Sequence, residues 1–317
     1  MNDKTILITG GTGSFGYQMT TRLLPMNCKV KIYSRDEDKH REMKAYFDSP
    51  NLSFMIGDLR DPERLMECFK NVDTVLHAGA LKQITSVEFN PVEAIKTNTT
   101  SAYSIMKAAD AQNVENVIAI STDKACKPVN SYGMTKALME KIITGDDVDS
   151  NTKFSCVRYG NVLGSRGSVL PVWDKLIQNK FAIPITSYEM RRFFLTLEQA
   201  TDLILFAYNN MKGKEIFVRK APAMLISDLA QVYAELVTGD SKYPQTEIGI
   251  RPGEKIDESL VSVEEMSHTK ELDDYFRVDR PDSFCDSFPD EEYSSKTTNQ
   301  LNRDQIKTLI EHLKWKK

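Results

Sequence analysis

The sequence contains few of the residues that build disulfide frameworks or metal centres. Its 317 residues include five cysteines and four histidines. The cysteines are odd in number, and neither residue type recurs at a spacing typical of metal ligands. We therefore expect no metal site, and reduced thiols as in the cytoplasm.

Long apolar segments and an excess of one charge are also missing. No apolar stretch approaches the length that crosses a bilayer, and the opening MNDKTILITGG combines an acidic residue with a short apolar run. This pattern predicts neither a signal peptide nor a membrane anchor. The formal net charge of -4 gives no basis for nucleic acid or an anionic membrane as the main partner.

The composition is that of an ordinary soluble globular protein, with 41% hydrophobic and 27% charged residues. Predicted strands and helices alternate up to about residue 121 without a long structureless gap. This order predicts an α/β fold with a doubly wound parallel sheet. In such sheets, ligands bind beyond the carboxyl ends of the strands.

A glycine-rich turn follows the first predicted strand, residues 5–9. Gly10, Gly13 and Gly16 stand between this strand and a helix predicted to reach about Pro25. Glycines at this position allow a tight turn, so that a pyrophosphate can lie on the helix amino terminus. An ordinary βα turn is the alternative. The turn residues expected to contact a dinucleotide are Gly10, Thr12, Gly13, Ser14, Phe15 and Gly16.

The second predicted strand, residues 29–33, ends in Ser34 and Arg35. A carboxylate at this position favours NAD, whereas a small residue followed by arginine suits the 2′-phosphate of NADP. We therefore predict NADP rather than NAD. A surface salt bridge from Arg35 to Asp36 or Glu37 is the alternative role of this arginine.

Two more predicted strands, residues 53–56 and 74–78, end in polar or glycine-containing loops. Asp58 could accept a hydrogen bond from an adenine amino group, or cap the helix that begins near Asp61. Lys82 could face a diphosphate or a sugar, or be solvated. The further cofactor contacts expected from these loops and the next helix are Asp58, Leu59, Ala78, Gly79, Ala80, Lys82 and Asn98.

The segment 121–136, STDKACKPVNSYGMTK, follows a buried strand predicted over residues 117–120. Thr122, Asp123 and Lys124 place a hydroxyl, a carboxylate and an amine at the strand end. Tyr132 and Lys136 are four residues apart, so a helix would place them on one face, where the ammonium could lower the pKa of the phenol and hold a cofactor hydroxyl. Alternatively, Tyr132 and Lys136 are a packed aromatic beside a solvated lysine, and Asp123 and Lys124 form a surface ion pair.

These motifs resemble a known family. The turn TGGTGSFG and the Tyr132-x-x-x-Lys136 pair resemble the extended short-chain dehydrogenase/reductase superfamily. The stretches YSRDE (33–37), GDLRD (57–61), STDKA (121–125), RYGNVLGSRGSVLP (158–171) and RPGEK (251–255) resemble the inverting UDP-N-acetylglucosamine 4,6-dehydratases of bacterial surface-glycan synthesis. DDYFRV (273–278) resembles the capsule and O-antigen branch more than the flagellin branch.

The resemblance implies a redox-neutral dehydration of UDP-N-acetylglucosamine that uses NADP. Tyr132 would deprotonate the C4 hydroxyl during hydride transfer, with help from Thr122 and Lys136. Lys124 would then remove the C5 proton and Asp123 would protonate the departing C6 hydroxyl. Hydride return to C6 and reprotonation of C5 from the opposite face would give UDP-2-acetamido-2,6-dideoxy-β-L-arabino-hex-4-ulose.

The second half of the chain would bind the nucleotide sugar. Arginine side chains and loop amides there suit anionic oxygens, although the glycine- and serine-rich loop could be a flexible connection. The expected substrate contacts are Lys82, Asn161, Arg166, Ser168, Val169, Arg192, Arg251 and Glu254.

We predict a Rossmann domain over residues 1–165 and 191–218, interleaved with a smaller mixed α/β substrate lobe over 166–190 and 219–278. The tail 279–300 is predicted to be extended or partly disordered, or to wrap a neighbouring subunit. A helix from Arg303 carries Ile306, Leu309, Ile310 and Leu313 at helical spacing and would pack on this chain or on an oligomer partner. The resemblance suggests a dimer or hexamer.

Two other functions remain open. A UDP-sugar 4-epimerase would use the same cofactor site, Tyr132 and Lys136, but would not need the Asp123-Lys124 pair. A sensor that binds NADP without turnover would need none of the catalytic residues.

Overall fold

The structure of the chain, a computed structural model, describes residues 1–165, 167–281 and 289–313. The strands of these residues are β1 (Thr5–Thr9), β2 (Lys29–Ser34), β3 (Leu52–Ile56), β4 (Thr74–His77), β5 (Asn116–Ile120), β6 (Lys153–Arg158), β7 (Asn161–Val162), β8 (Ile183–Ile185), β9 (Arg191–Leu195), β10 (Ile216–Arg219), β11 (Ala223–Leu225), β12 (Gln245–Glu247), β13 (Ser259–Val261), β14 (Thr269–Leu272), β15 (Tyr275–Val278) and β16 (Tyr293–Ser294). The α-helices are α1 (Ser14–Leu23), α2 (Glu37–Phe47), α3 (Pro62–Cys68), α4 (Ile84–Phe89), α5 (Pro91–Ala94), α6 (Ser101–Ala111), α7 (Ser131–Ile143), α8 (Val169–Gln178), α9 (Leu197–Asn210), α10 (Ile226–Thr238), α11 (Val263–Met266) and α12 (Arg303–His312). None of the helices in these ranges is long and apolar enough to cross a membrane.

A nine-stranded sheet organises the described residues, in the order β14-β15-β10-β6-β5-β4-β1-β2-β3. The strands from β10 to β3 run parallel to their neighbours, whereas β15 and β14 are antiparallel. β1, β4 and β5 are buried at nearly every residue, as expected for strands covered on both faces. From β1 the chain order proceeds to β2 on one side and to β4 on the other, which creates the switch point where ligands bind. The predicted doubly wound sheet is confirmed.

Helices cover both faces of this sheet. Helices α3, α6 and α7 pack on one face in an apolar cluster that includes Leu7 of β1 and Met139 of α7. Helices α1, α2 and α9 pack on the other face with Ile8 of β1 and Leu203 of α9. Because neighbouring residues of a strand point to opposite faces, β1 contributes to both clusters.

A smaller lobe stands beside the sheet. It contains the three-stranded sheet β11-β9-β7 and the pair β12-β8. Trp173 of α8, Tyr233 of α10 and Ile306 of α12 belong to its apolar cluster.

The structure differs from the predicted division of the chain at three strands or segments. Strands β7 and β9 were assigned to the Rossmann domain, but they pair with each other, and β9 also pairs with β11, in the small sheet. Residues 269–278 were assigned to the substrate lobe, but β14 and β15 extend the edge of the large sheet. Phe276 and Val278 explain this last difference, because they alternate inward and pack in the core of the large sheet.

The described part of the tail packs on this chain. Strand β16 pairs with β13, and the ring centroid of Tyr293 lies 5.0 Å from that of Phe276 and 5.4 Å from that of Phe193. The backbone N–H of Ala221 donates to the Tyr293 hydroxyl at 2.8 Å. Segment 282–288 of the predicted tail lies outside the described residues.

The predicted C-terminal helix is confirmed as α12. Asn302 caps it, since its side chain accepts a hydrogen bond from the Gln305 backbone at 3.0 Å. Ile306 and Ile310 are buried in the cluster of the small lobe. The apolar stripe therefore packs on this chain.

Arg158 at the end of β6 forms a buried ion-pair network that joins β6 to α7 and α11. Its guanidinium donates to Glu140 of α7 at 2.6 and 2.9 Å and to Glu265 of α11 at 2.8 Å, and also to the Leu260 carbonyl. Burial raises the pKa of the Glu265 carboxyl, but the Arg158 charge and hydrogen bonds outweigh it and hold this pKa at about 2. The network fixes α7 against β6.

Replacing Arg158 by methionine tests this network. Arg158→Met leaves two carboxylates in a low-dielectric interior without their partner, so we expect the free energy of unfolding to fall by about 3–5 kcal/mol. Urea denaturation at pH 7 measures the change. The exposed Arg41, which pairs with Asp38, is the matched control, and Arg41→Met should change stability by less than about 0.5 kcal/mol.

The same variant should alter the acid response. The folded pKa of Glu265 lies below its ordinary value of 4.5, so its contribution to stability is present above that value and is lost as the pH falls toward 2. In Arg158→Met, the free energy of unfolding should therefore change less with pH over this range. Equal stability of both arginine variants would contradict the assigned role.

Candidate functional site

The turn after β1 lies against the loop after β4. Gly10 has a φ of +65°, and a Cβ atom on it would lie 2.6 Å from the Gly79 Cα. A Cβ atom on Gly16 would lie 1.9 Å from the Gly11 carbonyl oxygen, so α1 begins directly against the turn. Gly13 is the N-cap of α1. These close contacts hold the turn against the amino terminus of α1, a position that attracts phosphate, and this arrangement fits a dinucleotide.

The other residues of the turn differ in their contacts. The Thr12 hydroxyl donates to the Ser34 hydroxyl at 3.2 Å, and Ser34 Oγ lies 2.8 Å from Nε2 of His40. Phe15 is partly buried and packs its ring against the apolar cluster of α1. Thr12 and Ser34 thus link the ends of β1 and β2.

Arg35 follows β2 and is available to a ligand. Its side chain is 60% exposed and lies 3.5 Å from the Asp58 carboxylate. Asp58 is held by Arg60 at 2.7 Å, and this hydrogen bond lowers the pKa of Asp58 to about 2. The predicted alternative that Asp58 caps α3 is wrong, because Asp61 occupies that position and accepts from the α3 backbone.

The loop after β4 passes close to the glycine turn. A Cβ atom on Gly79 would lie 2.5 Å from Cδ1 of Leu59, so Leu59 packs directly on this loop. Asn98 is fully buried, and its amide bonds to both backbone groups of Leu81 at 2.8 and 2.9 Å. Asn98 therefore holds the loop that carries Ala78, Ala80 and Lys82. Its predicted contact with the cofactor stays a prediction.

Asp123 lies at the end of β5 and is fully buried. Its Oδ1 accepts from the Thr122 hydroxyl at 2.9 Å and from Lys124 Nζ at 3.0 Å. Its Oδ2 is buried and has no hydrogen-bond partner among the described residues. The predicted alternative of a surface ion pair is wrong, because the strand end buries the carboxylate. A buried carboxylate oxygen left open is suited to a proton donor or acceptor for a ligand.

Helix α7 packs directly on this strand end. A Cβ atom on Gly133 would lie 2.1 Å from the Lys124 carbonyl oxygen. Asn130 caps the helix by accepting from the Gly133 N–H at 2.7 Å, and it donates to the Gly253 carbonyl at 2.7 Å. The helix that the Tyr132 and Lys136 spacing required is therefore present and lies beside Asp123.

The electrostatics of Tyr132 and Lys136 differ from the prediction. Burial raises the pKa of Tyr132, a hydrogen bond with Thr122 opposes the rise, and the Asp123 charge adds to it. Burial lowers the pKa of Lys136 to about 8, and its Nζ lies 2.8 Å from Met139 Sδ. The predicted lowering of the phenol pKa by Lys136 is not found, because burial and Asp123 dominate at Tyr132.

Two predicted substrate residues carry open polar atoms. The Asn161 Oδ1 and the Ser168 hydroxyl are buried without a hydrogen-bond partner among the described residues. Asn161 directly follows Gly160, where a Cβ atom would lie 3.4 Å from Asp123 Oδ2. Val169 is the first residue of α8 and packs partly into the small-lobe cluster. Arg166 lies outside the described residues.

The other predicted substrate residues lie in or near the segment 251–256. Arg192 is buried and donates to the carbonyls of Arg191, Lys255 and Ile256, so it holds this segment rather than offering its donors to a phosphate. Arg251 is exposed, and its backbone N–H donates to the Glu254 carboxylate at 3.4 Å.

The structure adds two residues that sequence reasoning missed. Glu258 is buried, with a carboxylate oxygen 3.9 Å from Lys124 Nζ and the other 2.8 Å from Lys255 Nζ. Lys255 also donates to the carbonyls of Cys126 and Lys127 at 3.2 Å. The only signal in the sequence was the RPGEK motif, which ends three residues before Glu258.

Comparisons with known proteins agree with this architecture. The family model described as polysaccharide biosynthesis protein matches residues 6–280. A UDP-N-acetylglucosamine 4,6-dehydratase (inverting) of Campylobacter jejuni is 43% identical, over 90% of this chain and 85% of that protein. A UDP-glucose 4-epimerase of Rickettsia bellii is 39% identical, over 98% and 96%. The X-ray structure of Pen from Bacillus thuringiensis matches with a TM-score of 0.93 and 34% identity, over 100% of this chain and 99% of that one.

Replacing Gly13 by alanine tests the dinucleotide site. A Cβ atom there would meet its nearest neighbour at an ordinary 3.4 Å, so the fold should persist. It would, however, occupy the space that a pyrophosphate needs, and we expect binding of NADPH to weaken by roughly tenfold or more. Fluorescence titration and the melting temperature measure the two effects.

The contrasting variant is Gly10→Ala, which should lose stability as well as binding because its Cβ would collide with Gly79. Unchanged NADPH affinity in Gly13→Ala would exclude the proposed position of the cofactor.

Proposed function

The chain belongs to the polysaccharide biosynthesis protein family of the extended short-chain dehydrogenase/reductase superfamily, as its sequence predicted, and from this premise we propose that it catalyses the 4,6-dehydration of UDP-N-acetylglucosamine with inversion at C5. The product would be the 4-keto-6-deoxy sugar nucleotide of the L-arabino configuration. Its use would be in a bacterial surface polysaccharide or glycan.

One observation carries the proposal. The Asp123-Lys124 pair is buried at the end of β5, with one Asp123 oxygen open, directly beside the helix that bears Tyr132. Oxidation at C4 alone needs only Tyr132 and a cofactor, whereas elimination of water also needs a base for C5 and an acid for the C6 hydroxyl. A buried acid and amine in contact supply both groups.

The residues divide the proton transfers between them. Tyr132 would accept the proton of the C4 hydroxyl once the positive charge of a bound oxidised nicotinamide offsets the raised pKa of its phenol, and Thr122 would orient it. The C4 ketone then acidifies C5, and the Lys124 amine accepts the C5 proton. Asp123 gives its proton to the C6 hydroxyl, which leaves as water. Lys124 and Asp123 are 3.0 Å apart, so the ammonium can return a proton to the carboxylate after each turnover. C5 takes up a proton from solvent on the face opposite Lys124, and Tyr132 releases the C4 proton to solvent, so the protons balance.

The cofactor proposed is NADP rather than NAD, which when bound supplies the hydride acceptor for C4 and the hydride donor for C6. Gly10, Gly13 and Gly16 would receive its pyrophosphate. Ser34 and the exposed Arg35 would face the 2′-phosphate, where a guanidinium matches phosphate oxygens. Lys136, whose pKa of about 8 leaves it largely protonated at neutral pH, would hold a ribose hydroxyl.

The nucleotide sugar would lie on the lobe side of the same cleft. Asn161 and Ser168 offer the buried polar atoms that have no partner among the described residues. Arg251, Glu254 and Lys82 would contact it at the rim.

A homo-oligomer, either a dimer or a hexamer, is part of this proposal. Large apolar side chains of neighbouring helices are exposed on one side of the sheet, as a contact between copies would require. They are Phe89, Val92, Tyr103, Met134 and Leu138. A cytoplasmic location stays a prediction.

Product analysis in deuterated water tests the reaction. The NADP-loaded protein should convert UDP-N-acetylglucosamine to a 4-keto product with deuterium at an inverted C5, because the C5 proton leaves on Lys124 and the new one comes from the opposite face. NMR detects both features. A C4 epimer as the sole product would establish the epimerase alternative, and bound NADP without any turnover would favour the sensor.

The Lys124→Ala variant tests the base. Product formation should fall roughly 100-fold or more, since a general base contributes at least that factor, while NADPH binding should stay unchanged. Turnover at the wild-type rate would remove Lys124 from the mechanism.

Arg35→Ala tests the cofactor preference. The Kd for NADP+ should rise by roughly tenfold or more through loss of the phosphate pairing, with the Kd for NAD+ nearly unchanged. Isothermal titration measures both constants, and Arg41→Ala, another exposed arginine paired with an aspartate, is the control. An equal loss for the two cofactors would argue against a 2′-phosphate contact.

A further inference from the structure

Glu258 is a second carboxylate beside the proposed base. Its side chain is 2% exposed, and one of its oxygens lies 3.9 Å from Lys124 Nζ. Among the described residues, the ion pairs of Lys124 are with Asp123 and Glu258. The amine therefore stands between two buried carboxylates, one from the end of β5 and one from the segment before β13.

The C-terminal tail fixes the backbone of Glu258. The Glu258 N–H donates to the Ser295 hydroxyl at 3.0 Å, and the Ser295 N–H donates to the Glu258 carbonyl at 2.7 Å. Ser295 is fully buried and directly follows β16, which pairs with β13. This two-sided backbone contact leaves the carboxylate little freedom to turn away from Lys124.

The charges around Glu258 balance. Lys255 lies 2.8 Å from it and Lys124 3.9 Å, while Asp123 faces Lys124 from the other side. The neighbouring Asp257 is 3.7 Å from Arg191 and accepts from Ser295. A buried carboxylate is costly unless it is paired, and the two lysines supply that pairing for Glu258 in the interior.

The proton transfers of the reaction give Glu258 a role. Asp123 must carry a proton to protonate the leaving C6 hydroxyl, and in that state it no longer neutralises Lys124. When the C5–H bond breaks and an N–H bond forms on Lys124, the new ammonium needs a negative partner. Glu258 is the remaining carboxylate in the Lys124 ion pairs of the described residues.

We propose that Glu258 is a positioning residue of the dehydration, which orients Lys124 and supplies the counter-charge for its ammonium while Asp123 holds the proton for the leaving hydroxyl. This inference rests on the proposed function. Glu258 acts through Lys124, so it should matter for the elimination and not for hydride removal at C4.

The test compares Glu258→Gln with the control Glu271→Gln, an exposed glutamate that is also paired with a lysine. In Glu258→Gln we expect kcat to fall roughly 10- to 100-fold with KM within about twofold, because a supporting residue is lost while substrate contacts remain. After one addition of UDP-N-acetylglucosamine to the NADP-loaded enzyme, absorbance of the reduced nicotinamide should accumulate, and deuterium exchange at C5 should slow. The control should match the wild type.

The pH profile gives a second readout. Loss of the Glu258 charge removes the negative partner of the Lys124 ammonium in the state in which Asp123 carries its proton, with Asp123 and Lys255 unchanged. The ascending limb of the kcat profile should therefore move to lower pH in Glu258→Gln. Glu258→Asp retains the charge, so it should restore part of kcat and the wild-type position of the limb.

The outcomes separate the two proposals. If the wild-type protein dehydrates its substrate and Glu258→Gln has the same kcat, C5 exchange and pH profile, the role of Glu258 alone is overturned. An equal loss of hydride removal and elimination, with a lower melting temperature and no rescue by aspartate, would make the residue merely structural and also overturn the inference. A wild-type protein that forms no 4-keto product would overturn the proposed function, and the inference with it.

Discussion

The close contact between α7 and the end of β5 is the constraint on which the candidate site depends. Gly133 approaches the Lys124 carbonyl so closely that a Cβ atom would lie 2.1 Å from it. A side chain there would push the helix away, and Tyr132 would move with it. The cap from Asn130 and the ion pair from Arg158 to Glu140 hold the two ends of the same helix. Tyr132 therefore lies next to Asp123 and Lys124, because Gly133 has no side chain to separate the two backbones.

The parts of this site that depend on local sequence could be predicted. The strand ends and the glycine turn follow from short apolar runs that stop at glycine or polar residues, and the spacing of Tyr132 and Lys136 required a helix that is present. The C-terminal helix was predictable for the same reason, since its apolar period and its Asn302 cap lie within one short segment. In each case the chemical cause and its structural effect are a few residues apart.

The parts that depend on distant residues could not be predicted. Arg192 looked like a phosphate ligand, but carbonyls more than 60 residues away in the chain take up its donors. Asn98 likewise bonds to the backbone of Leu81. Glu258 gave no signal of its own, because its importance comes from Lys124 and Ser295, which are far away in sequence. The pKa of Tyr132 is set by burial, which a sequence does not show.

Buried polar atoms of the cleft that lack a hydrogen-bond partner lower the stability of the fold but can bind a ligand. Asp123 Oδ2 and Asn161 Oδ1 are buried near Gly160 without a partner among the described residues. A buried polar group left unpaired costs about 1–3 kcal/mol. The cost is recovered only when a ligand with matching hydroxyls enters, so binding should favour a polyhydroxylated substrate over an apolar one. Such unmade hydrogen bonds favour a ligand that carries hydroxyls.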